Sequence, residues 1–352
     1  MFDRILAALA AGAILQFVAM SPGAAAPPEL NLKVAGRPEL VLPAEEMTCV
    51  VERGRGEGLD VTDMPVTAFR RREGGVMVLA GNSNGYFLDG PSVESARRRD
   101  CDQILRSERN PDPSQFRDKE WVVALYAPGG SEVYGFVHNE FHGEEHGETN
   151  CRLRPSPERE CWYASITWVK STDGGKSFRR PQAPRNLVLA VPFRYRPGML
   201  RAGVALPKIV RQGEWLYMLG SYLDRSLRGA GGQCLLRAPA SRPERWEVWT
   251  GSGFAPVPGS PYLSPERPGA EPCAPVIAAN VLSVKYVPRA RLFLALTMSR
   301  DDVSYATSPD LIHWSDERQL FRREEALVDF SLNEYGNEEA LPKYFSMLDP
   351  AS

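Results

Sequence analysis

The chain has 352 residues, with 42 Lys and Arg against 44 Asp and Glu and a formal net charge of −2. Nucleic acid and anionic membrane both call for a concentrated positive surface, so this balance gives no electrostatic case for either. The local run Arg97-Arg98-Arg99 reads as a solvated loop.

The chain opens with a short n-region holding one basic residue, Met1 to Arg4, followed by an apolar run of sixteen residues from Ile5 to Met20 interrupted only by Gly12 and Gln16. Ser21-Pro22-Gly23 breaks this run, and Ala24-Ala25-Ala26 supplies small residues for cleavage. This three-part pattern predicts a signal peptide over residues 1–26, because the run is short for a spanning helix. A single domain is expected over residues 27–352, soluble after cleavage and placed in the periplasm or secreted. No second long apolar run follows. Six Cys, at 49, 101, 151, 161, 234 and 273, suit an oxidising compartment and up to three disulfides. Cys151 and Cys161 flank a short polar loop and form the expected pair. The pairing of Cys49, Cys101, Cys234 and Cys273 stays open among three connectivities. No CxxC spacing points to zinc.

Strand signals then follow one another along the chain. They are short, rich in β-branched and aromatic residues, and bounded by turns: Val76–Leu79, Trp121–Tyr126, Glu132–Val137, Tyr163–Val169, Val204–Val210, Trp215–Leu219 and Arg291–Leu296. Glu73-Gly74-Gly75, Pro128-Gly129-Gly130 and Gln212-Gly213-Glu214 separate them. Ser92–Leu105 and Asp316–Leu327 are the two helix candidates. The 30 Gly and 30 Pro are scattered, which favours many turns and few long helices.

A turn motif recurs. Ser171-Thr-Asp-Gly-Gly-Lys-Ser-Phe178, Ser241-Arg-Pro-Glu-Arg-Trp246 and Ser308-Pro-Asp-Leu-Ile-His-Trp314 each follow a strand and end in an aromatic residue. Their starts lie 70 and 67 residues apart. Repeated short antiparallel strands without intervening helices predict an all-β fold, with a β-propeller ahead of a sandwich or barrel.

The motif Ser171 to Phe178 resembles the Asp-box of sialidases and related propellers. Ser308 to Trp314 resembles the S-x-D-L-x-x-W hairpin of five-bladed glycosidases such as glycoside hydrolase families 43 and 32. Asp60-Val-Thr-Asp63-Met-Pro65-Val66 resembles their early strand, in which an acidic residue precedes proline and carries catalysis. Val137-His-Asn-Glu-Phe-His142 is similar to a segment of exported proteins of that superfamily. The resemblance covers most of residues 60–321 in arrangement. It lacks the sialidase arginine triad and the invertase-type WMNDPNG stretch. It implies a five-bladed propeller, a carbohydrate as substrate or ligand, and no cofactor.

Glycoside hydrolysis is generally performed by two carboxyl groups flanking the scissile bond. Asp63, opening the first clear strand, is the expected base or nucleophile. Glu140 is the expected acid, since side chains two apart on a strand share a face and His138, Glu140 and His142 then project together. Three of the four His fall at 138, 142 and 146. A metal held by two His and one carboxylate is the weaker reading of this cluster. His138, His142, Asn84, Arg201, Trp162 and Asp224 are the candidate substrate-binding residues. The favoured function is therefore an exported glycoside hydrolase-like enzyme acting on a poly- or oligosaccharide. The alternative is a non-catalytic carbohydrate-binding or protein-interaction propeller.

Overall fold

A computed structural model describes residues 30–36, 63–79, 85–98, 100–152, 160–227, 231–326 and 345–348. The expected signal peptide, Cys49, Asn84 and a closing strand expected near Leu40–Val51 lie outside the described residues. The described chain is all-β, with 3-10 turns and no α-helix.

The first sheet is a meander of β1 (Thr67–Arg70), β2 (Val76–Leu79), β3 (Phe87–Gly90) and β4 (Arg97–Arg98). The second comprises β5 (Lys119–Gly129), β6 (Glu132–His142), β7 (Trp162–Ser171) and β8 (Leu187–Ala190). The third runs through β9 (Ala202–Gln212), β10 (Trp215–Asp224), β11 (Gly231–Pro239), β12 (Glu247–Trp249) and β13 (Phe254–Pro256). The fourth is β14 (Val281–Val287), β15 (Leu292–Met298), β16 (Asp302–Ser308) and β17 (Arg318–Arg322). Pairing within each meander is antiparallel. The second and third meanders join through a short parallel bridge, Tyr163 to Ala202 and Ala164 to Gly203.

Each recurring turn sits after the third strand of its own meander, which explains the spacing of about seventy residues. In the first, Asp173 Oδ1 accepts from Ser177 N at 3.0 Å and Ser171 Oγ accepts from Gly175 N at 2.9 Å. In the last, Asp310 Oδ1 accepts from Ile312 N at 2.9 Å and His313 N at 2.8 Å. These side chains satisfy amide groups that a tight turn otherwise leaves unpaired. The turn at 241–246 has Pro243 and Glu244 in place of an acid at the third position, and keeps only the plug, with Trp246 edge-on to Phe136 at 5.3 Å.

The cores lie between successive sheets. Phe69, Met77 and Phe87 of the first meet Val122, Leu125, Val137, Val169 and Phe178 of the second. Phe136, Tyr163 and Ile166 of the second meet Val204, Leu216, Met218 and Leu236 of the third. Val210, Leu219 and Leu235 of the third meet Val281, Val284 and Phe293 of the fourth. Burial on both faces explains why β2 and most of β5 read as unbroken apolar runs rather than alternating ones.

Both helix candidates are corrected. Residues 92–98 form a turn and the short β4, and residues 100–105 an irregular segment ending in buried Ile104 and Leu105. Ser92 and Ser95 bond each other's backbone amides there, offering the chain an alternative to a helix. Residues 316–326 become β17 and a 3-10 turn, because β16 has a free edge for β17 to pair with, and this overrides local propensity. Leu327 lies outside the described residues.

Disulfides join Cys151 to Cys161 and Cys234 to Cys273. Cys101 is also disulfide-bonded. Closing loops with separations of 10 and 39 residues stabilises by about 3 and 4 kcal/mol in the chain-entropy account.

The join between the second and third meanders depends on one glycine. Gly203 has φ +156, and a Cβ there would lie 2.5 Å from both the N and O of Ala164. Gly203→Ala is expected to destabilise by about 3 kcal/mol in urea unfolding, since backbone rather than a mobile side chain would have to yield. Gly147→Ala, at φ +86 with open space around it, is the control and should cost about 1 kcal/mol.

Candidate functional site

β5 and β9 run side by side and in the same direction relative to their meanders, and β1 and β14 flank them, so the four meanders begin around a common centre. Met64, Trp121, Val123 and Leu206 pack together at the starts of β1, β5 and β9. Leu206 also touches Trp162, Ala164 and Ala205. Leu206 has φ 51 and precedes Pro207, where the β9–β10 register shifts. Proline has no amide to give the ladder, so the bulge falls there, and it turns Leu206 toward both clusters.

Above this apolar floor lies the end of β6. Its register sets His138 opposite Trp121 and Ile166, Glu140 opposite Lys119 and Ala164, and His142 opposite Trp162. Alternation puts the three polar side chains on one face. His138 Nε2 donates to Glu140 Oε1 at 2.7 Å, and His142 Nε2 bonds Glu140 Oε2 at 2.6 Å. His138 lies between Trp121 and Trp162, with ring centroids 5.5 and 6.2 Å away. Both imidazoles are buried, whereas the Glu140 side chain keeps 15% exposure. The grouping of His138, Glu140 and His142 expected from their spacing is therefore present.

The electrostatics run against the expected acid role. Burial alone raises the Glu140 carboxyl, but the charge and hydrogen bonds of His138, then those of His142, more than reverse it. Glu140 is held well below the usual carboxylate range. It is an anion at neutral pH, and a resting general acid must carry a proton. The two histidines also have a different part from the one expected. With their Nε2 atoms committed to Glu140 and their rings buried, they orient the carboxylate rather than face a ligand.

Around His142 lies a further set of charged and polar residues. Its amide donates to Asp118 Oδ2 at 3.0 Å, and His146 Nε2 lies 2.9 Å from the same oxygen. Its Nδ1 faces Glu144 Oε1 at 3.4 Å and Glu145 Oε1 at 3.8 Å. These three donors lie within 4.8 Å of one another, a spacing that could hold a cation. The chain supplies its own: Lys119 Nζ contacts Glu145 Oε1 and lies 3.5 Å from His142 Nδ1, and Arg109 pairs with Glu145 at 2.8 Å. The donor set is thus neutralised from within and does not fit a resident metal. The segment 143–148 reads in sequence as a polar loop; the only signals for its part in the site were the third histidine and the charged start of β5.

The remaining candidates divide. Arg201 sits over Trp162, guanidinium to ring centroid 4.0 Å, so these two are brought together beside His138. Trp162 is 3% exposed and offers no open face for a sugar, because Arg201 covers it. Asp63 is exposed ahead of β1, next to Met64, which is buried in the apolar floor. Asp224, the last residue of β10, caps the loop that follows, with Oδ1 accepting from Ser226 N at 2.9 Å and from Ser226 Oγ at 2.6 Å.

No family model matches the chain, and no curated protein matches its sequence. Solved structures do. A protein of unknown function from Dyadobacter fermentans aligns at 13% identity and TM-score 0.43, over 78% of this chain and 72% of that one. An alpha-L-arabinofuranosidase from Lactobacillus brevis aligns at 11% identity and TM-score 0.40, over 74% of each. A glycosyl hydrolase from Bacteroides ovatus aligns at 15% identity and TM-score 0.33, over 58% of this chain and 51% of that one.

The depressed Glu140 carboxyl makes a checkable statement about stability. A carboxylate with a folded pKa below its unfolded value of about 4.3 stabilises at pH above that value, and loses this as pH falls through the folded one. Melting temperature followed from pH 6 downward should therefore drop less steeply below about pH 4 in Glu140→Gln than in the parent protein.

Proposed function

We propose that this protein is an exported, five-bladed β-propeller that hydrolyses a glycosidic bond. What supports the architecture is the arrangement of chain ends. Four meanders contribute β1, β5, β9 and β14 to one axial cavity, and residues 346–348 line it as a fifth wall. Met347 N donates to Ser283 Oγ at 3.2 Å, Phe345 packs edge-on to Phe321 at 5.6 Å, and Leu30 O accepts from Tyr305 OH at 3.2 Å. Segments from both ends of the chain thus meet at the fourth meander, where a fifth blade built from the two termini would close the ring. The disulfides suit an oxidising compartment, in keeping with export after loss of residues 1–26.

The observation that carries the catalytic reading is the ionised, partly exposed Glu140 clamped by two imidazoles where the innermost strands begin. Its charge reverses the roles expected from sequence. Glu140 is the base or nucleophile, and Asp63, ahead of β1 and exposed in the free protein, protonates the leaving oxygen once a bound sugar excludes water from its carboxyl and so favours the protonated form. A carboxyl separation of about 5–5.5 Å gives retention through a glycosyl-enzyme, and about 6.5–9.5 Å gives inversion through an activated water. Arg201, at the rim over Trp162, binds sugar hydroxyls. A poly- or oligosaccharide is the substrate class.

One observation favours the second reading, a carbohydrate-binding propeller without catalysis. Both Glu140 oxygens already accept strong hydrogen bonds, leaving fewer lone pairs for a reacting atom. Activity separates the two. Screened on aryl glycosides and on plant and microbial polysaccharides, the hydrolase releases product. Glu140→Gln and Asp63→Asn should each lower kcat at least about 10³-fold while leaving the fold intact. His142→Ala should lower kcat about 10–100-fold and move the acidic limb of the pH profile toward higher pH, as Glu140 loses a partner that favours its anion. Sugar binding without turnover, unchanged by Asp63→Asn, would establish the binding reading.

A further inference from the structure

A second pocket, of about 220 Å³, lies away from the Glu140 cluster. Its place follows from the strand register. Phe141, next to Glu140, pairs with Tyr163, Tyr163 with Ala202, and Ala202 with Asp224 at the end of β10. Asp224 is therefore three strand spacings from Phe141, about 14 Å across the sheet. It shares the face of Phe141, and alternation sets that face opposite the one that carries Glu140. Asp224 and Ser226 line the pocket together, so the two bonds from Ser226 to Asp224 Oδ1 lie in its wall. Asp224 is 2% exposed and forms no ion pair among the described residues. Its Oδ2 is buried without a hydrogen-bond partner.

A carboxylate taken out of water is costly unless its oxygens find donors, and Ser226 serves only one of them. Tyr222, two residues earlier on the same face of β10, buries a hydroxyl that also lacks a partner among the described residues. Burial, and next the Asp224 carboxylate, push that hydroxyl up to about 12, so it keeps its proton at neutral pH. An unfilled acceptor and an unfilled donor therefore stand near each other. A ligand hydroxyl both gives and takes a hydrogen bond, whereas an ammonium only gives. An ammonium would also meet Arg194 and Arg196 in the same wall. The rest of the lining is largely apolar, with Phe193, Met199, Leu200 and Pro268. Apolar walls with a few convergent polar groups suit a ring that has a C–H face and a hydroxyl edge, and a space below the roughly 300–1,000 Å³ of drug-sized pockets suits a single ring.

We propose that this pocket is a second carbohydrate site, taking one neutral sugar residue with a hydroxyl on Asp224 Oδ2 and its C–H face on the apolar wall. The proposal rests on the reading that the ligand of this protein is a poly- or oligosaccharide. It does not rest on hydrolysis: the site holds the polymer at a point separate from Glu140, whether or not the chain is cut there.

The test uses free glucose, galactose, mannose, xylose and arabinose as probes, with binding titrated by saturation-transfer NMR. At least one should bind the parent protein and bind Glu140→Gln equally well. Asp224→Asn, which keeps an acceptor for Ser226 and puts a donor in place of Oδ2, should weaken that binding at least about 10-fold, as expected for loss of a hydrogen bond to a charged group. Crystals soaked in the sugar that binds should show its ring in the pocket with a hydroxyl on Asp224 Oδ2, which keeps the test open if the variant does not fold. No binding by any of the five sugars, binding unchanged by Asp224→Asn, or soaked crystals with only water at Oδ2 would each overturn the proposal. Failure of the hydrolase reading shows separately, as absence of turnover in the parent protein, and leaves these outcomes as they are.

Discussion

The four meanders of this protein are each covered by a neighbour, and that coverage is the constraint from which the rest follows. A sheet whose faces are apolar leaves that surface in water unless another element covers it. Stacking successive meanders face to face buries both, and it brings the first strand of each toward a shared centre. The innermost strands are then enclosed, which is why β5 is buried from Glu120 to Tyr126. Enclosure in turn makes every polar group near the centre expensive unless it has a partner. The polar residues found there accordingly occur as networks: Glu140 with two histidines, Asp118 with His142 and His146, Lys208 with Ser221 and Gln233.

The site owes its character to the same enclosure. Burial by itself pushes the carboxyl of a glutamate at this depth up. The imidazoles invert that outcome because they are fixed in place: His138 by the two indole rings beside it, His142 by the hydrogen bond that its backbone N–H donates to Asp118. A fixed donor costs less ordering on binding a charge than a mobile one, so two histidines suffice to keep the carboxylate ionised. The cluster of Lys119, Glu144 and Glu145 behind His142 adds a second layer of charge, closed on itself by the lysine.

Two junctions hold the sheets in register. At one, Gly203 lets β9 approach the backbone of Ala164 more closely than any side chain permits. At the other, Leu206 and Pro207 bend β9 through a bulge, so that one leucine closes the floor under both Trp121 and Trp162. Both lie between Gly203 and Pro207 on a single strand, against Trp162 and Ala164, the partners of His142 and Glu140 in the β6–β7 ladder. The chain thus concentrates its irregular backbone next to its most polar cluster, where a uniform ladder would leave no opening.

The sequence by itself determined the strands, the turns between them and the period that groups them into meanders. These depend on alternation, on glycine and on short-range hydrogen bonds such as those of Ser171 and Asp173, all of which act between near neighbours. It also determined that His138, Glu140 and His142 share a face, since a strand's pleat has a fixed period. Only the tertiary structure decided the charge of Glu140, because that is the balance between burial and two fixed imidazoles, and neither can be read from spacing. The same holds for the covered face of Trp162, the loop cap formed by Asp224, and the parts taken by Asp118, Lys119 and Glu145. Each depends on which strands lie side by side. The two helix candidates failed for that reason too: β17 exists because β16 has an edge to fill, and an edge belongs to a sheet, not to a segment.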